Sequence, residues 1–264
     1  MTSSARRIEV MYEVPEADPR WVLRDEDNVP ESVLQNEVNR ELIDVLKTWL
    51  AGRGVSGRVG GNIALRWDPS QPQVGVDPDV YWIEPDVPEG ELAKSICTWK
   101  PGHTAPRLCV EVVSERTVDK DYGDGPDRYA ACGVRELWVF DPNRYGRGAR
   151  GGPYLMQLWL RDERGRFRRV YAGEGPFRSR ELDAWVVAVE DETRLRVADD
   201  PEGTRLWPTL AEKERERAKE ERAEKERERA EKERERAEKE RERAENAALR
   251  AEVEALRARL AQGG

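Results

Sequence analysis

The sequence predicts an α/β protein with a central mixed sheet flanked by helices, followed by a long charged helix of coiled-coil-like composition. Three observations carry that expectation. Helical and strand-like periods alternate up to about residue 205. Two runs, 108–113 and 137–140, are almost continuously apolar, as strands covered on both faces are. From residue 209 the composition narrows to little but Ala, Glu, Lys and Arg.

Residues 1–28, punctuated by Pro15 and Pro19, read as an irregular N-terminal arm. "PESVLQNEVNRELIDVLKTWLAGRG" then spaces Val33, Val38, Leu42, Leu46 and Leu50 along one helical face. It enters at Pro30 and stops at Gly52 and Gly54, which predicts a helix of about 20 residues. Strand-like runs follow at 58–67 and 74–84, a loop extends to about 105, and 107–114 reads as a strand. A short helix over 125–132 precedes strands at 135–141, 154–160 and 166–172. Residues 29–205 are thus expected to form one domain, and the nine Trp of the chain, seven of them within this segment, suffice for a sizeable core.

Charge divides the chain. Residues 211–264 hold 17 Lys plus Arg and 17 Glu, so the net charge of -8 belongs to residues 1–210, with 29 basic and 37 acidic groups. An acidic globular part argues against indiscriminate nucleic-acid binding, which depends on Lys and Arg. A local exception is 143–180, where ten Arg face only Asp162, Glu163 and Glu174. It reads either as a solvated face or as a surface that contacts phosphates.

Three cysteines without metal-ligand spacing suit reduced core thiols. The single histidine, His103, excludes a histidine-rich zinc site. No leading apolar stretch and no membrane-length run is present, so a cytoplasmic protein without membrane association is expected.

The tail, 209–262, repeats "AEKERER" with Glu and Lys or Arg three and four residues apart, a pattern that supports a helix without tertiary contact. One Ala per heptad makes a poor seam, so this part is expected to act as a spacer. The end differs. Leu249, Val253, Leu256 and Leu260 recur at intervals of 4, 3 and 4, a stripe at 249–260 that suits either a homo-oligomer or a partner helix.

Two carboxylates stand where strands should be apolar. Glu111 lies between Val110 and Val112, where an unpaired charge is costly and must be paired, neutralised or bound to a cation. Asp77-Pro78-Asp79 interrupts "VGVDPDVYWIE", and Pro is confined to strand starts, edges or bulges, so Asp79 is expected at a distorted strand end. Two such carboxylates side by side suit a hard divalent cation that keeps open positions for water and phosphate.

"PDV" at 78–80, "EVVS" at 111–114, Asp121, Tyr129, "GVRELWVFDP" at 133–142 and the "VPES" helix entry at 29–32 together resemble the Uma-type restriction endonucleases of the PD-(D/E)XK nuclease superfamily, over roughly residues 10–190. The resemblance implies a restriction-endonuclease-like sheet, magnesium or manganese as cofactor, DNA as substrate and phosphodiester hydrolysis by an activated water. It implies Asp79 and Glu111 as metal ligands and catalytic residues. Glu37 is a candidate third ligand, against the plainer reading of a solvent-facing helical Glu.

The superfamily lysine has no direct counterpart. Val113 holds the E-x-K position, and Gly125 stands four residues before Tyr129, where this family's lysine is expected. Lys120 is the nearest ammonium and is the expected charge-stabiliser, with Arg128, Lys100 and Lys94 as more remote candidates. Two functions follow: a magnesium-dependent DNA endonuclease, or a catalytically degenerate nuclease fold serving as an interaction or scaffold module through its tail.

Overall fold

The structure, a computed structural model, describes residues 21–22, 33–146 and 152–262, with the side chains of 256 and 258–262 excepted. Most of the expected N-terminal arm, the helix entry at 29–32, and Arg147 and Arg150 lie outside the described residues. The chain divides into two compact units, residues 1–210 and 211–264.

In the first unit, α1 (Val33–Arg53) buries Gln35, Val38, Leu42, Val45 and Trp49, spaced alternately three and four apart. Val33, expected on that stripe, is 77% exposed. Five residues separate it from Val38, which turns it about 140° away from the buried face. The central sheet has the order β1-β3-β5-β6-β7-β8, formed by β1 (Arg58–Gly60), β3 (Val80–Ile83), β5 (Leu108–Val112), β6 (Glu136–Phe140), β7 (Met156–Arg161) and β8 (Phe167–Gly173). Only β5 and β6 pair in parallel; the other neighbours are antiparallel, so the sheet is mixed. A parallel pair needs a crossover, and α2 (Val118–Tyr122) with α3 (Gly125–Cys132) supplies it.

Both faces of β5 are covered, as its apolar run predicts. Leu108, Val110 and Val112 enter a core with α1 and a three-stranded antiparallel sheet of β9 (Phe177–Ser179), β10 (Ala184–Val189) and β11 (Arg194–Ala198). Cys109 and Val113 enter the opposite core with Tyr129, Ala130 and Cys132 of α3. Glu111 alternates with the first set and therefore faces the α3 side. All three cysteines are free and buried.

Two expected strands are shorter than the sequence suggests. The 58–67 run splits into β1 and β2 (Ala64–Arg66), and β2 leaves the main sheet to pair in parallel with β4 (Ser95–Cys97), inside the expected loop. In the 74–84 run, Val74 and Val76 make only isolated bridges, and regular pairing begins at Val80, after Pro78.

The second unit is the remainder of α4 (Leu210–Gln262), a helix whose described side chains up to Arg243 are all exposed. Ion pairs such as Lys239 with Glu235 at 2.5 Å run along its surface. Among the described residues, no helix is long and apolar enough to cross a membrane.

Candidate active site

Asp79 and Glu111 meet across neighbouring strands. The antiparallel register of β3 and β5 pairs Val80 with Val110, so the next step places Asp79 opposite Glu111. Asp79 is fixed there by hydrogen bonds: its Oδ2 accepts the Val112 N–H at 2.6 Å, and its Oδ1 accepts the Gln35 amide at 3.0 Å. The same Gln35 amide donates to the Val112 carbonyl at 3.2 Å, tying the start of α1 to both strands.

Glu111 is 2% exposed, and its charge is met by elements that follow β5 in the chain. Ser114 and Thr117 close a turn through paired hydroxyl and amide contacts: the Ser114 N–H donates to Thr117 Oγ1 at 3.0 Å, and the Thr117 N–H donates to Ser114 Oγ at 3.3 Å. The turn starts α2, and Lys120 on that helix brings its Nζ to 2.8 Å from Glu111 Oε1. Tyr129 of α3 donates its hydroxyl to the same oxygen. Asp121 lies 3.3 Å from the Lys120 ammonium, with its carboxylate buried beside that ion pair.

Gly125 explains why the ammonium comes from α2. A Cβ at position 125 would lie 2.7 Å from the backbone carbonyl of Lys120, closer than a side chain can approach. Glycine lets the start of α3 pack against α2, and this packing leaves no place for a lysine at 125. Gly133, at a left-handed φ of 94°, then ends α3 and releases the chain into β6.

The electrostatics leave the cluster short of positive charge. Burial pushes the Glu111 carboxyl up to about 7, with Lys120 opposing the rise and Asp79 adding to it. Burial likewise pushes Asp121 up to about 7, with Lys120 opposing and Glu111 adding. Burial alone would lower Lys120, but Glu111, Asp121 and Asp79 outweigh it and hold the ammonium above the ordinary lysine range. Tyr129 is raised by burial and then by Glu111, so it stays a hydroxyl donor.

One ammonium among three carboxylates fits an added cation. Both donors to Glu111 fall on Oε1, which leaves Oε2 as the oxygen without a hydrogen-bond donor among the described residues. No group of three or more His, Cys, Asp or Glu that could hold a metal is found among the described residues. Magnesium binds through one or two carboxylates with water and substrate oxygens completing its shell, so the Asp79 and Glu111 pair suits it where a full protein cage is absent.

Glu37 is not brought to this cluster. It is exposed on α1 and pairs with Arg194 at 2.6 Å, while Gln35, two residues earlier, faces Asp79. Arg128 pairs with Asp124 at 3.0 Å. Among the described residues, Lys94 and Lys100 make no contact with the cluster.

The arginine-rich stretch is also less free than its count suggests. Arg144 pairs with Glu192 at 2.8 Å and Arg178 with Asp183 at 2.6 Å, using acids beyond the counted stretch. Arg166 pairs with Asp162 at 3.1 Å, and Arg169 is buried between the Tyr154 and Trp159 rings. Arg161, Arg164 and Arg180 remain exposed without an ion pair among the described residues.

Sequence reasoning gave no role to Gln35, Tyr129 or Asp121 beyond the motif. Gln35 had a usable signal, since it is a polar residue in phase with the apolar stripe of α1.

A family model described as "Uma2: Putative restriction endonuclease" matches residues 8–145. Among solved structures, the chain is similar to "a putative nuclease belonging to DUF820" from Anabaena variabilis ATCC 29413. The identity is 13%, over 66% of this chain and 70% of that one, with a TM-score of 0.35. No curated protein matches.

Proposed function

The chain belongs to the Uma2 family, whose model spans just over half of it, and from that premise we propose that it is a divalent-metal-dependent endonuclease hydrolysing DNA phosphodiester bonds at Asp79, Glu111 and Lys120. The observation that carries this reading is the 2.8 Å contact between the Lys120 ammonium and the buried Glu111 carboxylate, one register step from Asp79. It supplies the cation that position 125 lacks, and so favours a working centre over a degenerate one.

Asp79 and Glu111 would hold magnesium or manganese, which when bound supplies positive charge to the scissile phosphate and acidity to a coordinated water. Asp79 is kept in place for that role by the Val112 N–H and Gln35. Tyr129 and Lys120 orient Glu111 through one oxygen and leave the other open. Lys120, held protonated, cannot accept the proton of the attacking water at neutral pH. Its role is to offset the negative charge that builds on the phosphate oxygens. In the net reaction the water oxygen bonds to phosphorus and the bond to one sugar oxygen breaks. One water proton ends on that sugar hydroxyl, and the other stays on the new phosphate monoester or passes to solvent. Arg161, Arg164 and Arg180 are left to contact flanking phosphates.

The test is a calorimetric titration of magnesium and manganese into metal-free protein, followed by addition of single- and double-stranded DNA. Binding that is lost in Asp79→Asn and Glu111→Gln, with cleavage in the parent only, supports the reading. Cleavage by the Glu111→Gln variant at the parent rate contradicts it. Metal binding without any cleavage returns the protein to the scaffold reading.

A further inference from the structure

The end of α4 carries apolar side chains that nothing in its own unit covers. Leu249 is 54% exposed and Val253 47%, on a helix whose other described side chains are charged, polar or Ala after Leu210. In the sequence the same spacing runs on to Leu256 and Leu260, and the helix backbone continues to Gln262.

The choice of residues along this stripe specifies its occupant. With Leu249 and Leu256 at heptad position d, Val253 and Leu260 fall at a, and Asn246 occupies the preceding a. A β-branched residue at a with Leu at d favours two parallel strands, and a single Asn at a fixes register and oligomer state at some cost in stability. The flanking charges agree. Glu245 and Glu252 fall at g, and Arg250 and Arg257 at e. In a parallel pair, each g residue faces the e residue five positions on in the other chain, which joins Glu245 to Arg250 and Glu252 to Arg257. In an antiparallel pair, g meets g and e meets e, so Glu would face Glu and Arg would face Arg. The same register also sets an upstream limit: Lys239 falls at a and Glu242 at d, where like charges would meet across a parallel pair.

We propose that residues 245–260 form a short parallel, in-register coiled coil with a second copy of this chain. The stripe is self-complementary in its apolar layers and its flanking charges, so it needs no foreign helix. The seam has five layers, from Asn246 to Leu260, so association is concentration-dependent. This inference stands apart from the nuclease reading, and its measurement needs neither metal nor DNA.

The experiment is sedimentation equilibrium on the full chain from low to high micromolar concentration. The expected mass rises from 30.3 kDa toward about twice that value. Leu249→Glu combined with Val253→Glu is expected to hold the protein at the monomer mass. Glu245→Arg with Glu252→Arg, and separately Arg250→Glu with Arg257→Glu, are each expected to be monomeric alone and to recover the dimer mass when mixed in equal amounts. Recovery on mixing separates pairing from a failure of the helix to form. A parent that stays monomeric throughout overturns the proposal, as does a dimer indifferent to the Leu249 and Val253 changes. A mixture that remains monomeric overturns the parallel arrangement.

Discussion

The Lys120 ammonium lies 2.8 Å from Glu111 Oε1, although Lys120 is on the crossover helix α2 and Glu111 is in the middle of the sheet. The contact resolves the two oddities of the sequence together: a carboxylate in a buried strand, and a glycine where the family resemblance calls for a lysine. Burying the charge is tolerable because a cation arrives from nine residues downstream, over a turn closed by Ser114 and Thr117.

Replacing Lys120 with Met should lower DNA cleavage by roughly 10²–10³-fold, the usual cost of removing one charge-stabilising donor from a reacting centre. Lys120→Arg should recover little, because a planar guanidinium cannot take the place of a compact ammonium between Glu111 and Asp121. Single-turnover rates at saturating metal measure both effects.

Tyr129→Phe removes a buried donor to a carboxylate and should destabilise the domain by about 1.5–3 kcal/mol in urea unfolding. The slope of the unfolding line should not change, since no additional surface is exposed.

Without metal, the protein should be more stable near pH 5 than near pH 8. Glu111 and Asp121 rise from ordinary values of 4.5 and 3.8 to about 7 in the fold. Across the window from about 4 to 7 the folded state therefore binds more protons than the unfolded chain, so stability falls as pH rises through it. Melting temperatures in chelator at pH 5 and pH 8 give the difference. The combined Glu111→Gln and Asp121→Asn variant should show less of it.

Gly125→Ala puts a methyl group 2.7 Å from the Lys120 carbonyl and should cost about 1–3 kcal/mol as α2 and α3 move apart. The same variant should lose activity, because α2 carries Lys120. An alanine variant with parent stability would show that the close approach is not required.

The parts legible in the sequence were those where a local rule is broken. Glu111 stands out because strands buried on both faces exclude charge, and Asp79 because Pro78 cannot join a ladder. The helix expected at 125–132 was also legible, and the structure forms it over Gly125–Cys132. Contacts made only by the fold were not legible. Gln35 reaches Val112 across 77 residues of chain, and nothing near either residue announces the other. The three-stranded sheet of β9 to β11 was not expected, although the apolar run of β10 and the alternation of Arg194 and Arg196 with apolar residues in β11 are both strand patterns. Those arginines pair with Glu37 and Glu41 of α1, a partnership invisible without the tertiary structure. The same pairing removed Glu37 from the candidate ligands.

The most direct test of the centre is cleavage of supercoiled plasmid DNA by the purified parent and by Glu111→Gln, each with magnesium and with chelator. The structure predicts nicked or linear product from the parent with magnesium alone, and none from the variant in either condition. Equal cleavage by parent and variant, or cleavage by the parent that persists in chelator, would contradict a metal centre built on Glu111.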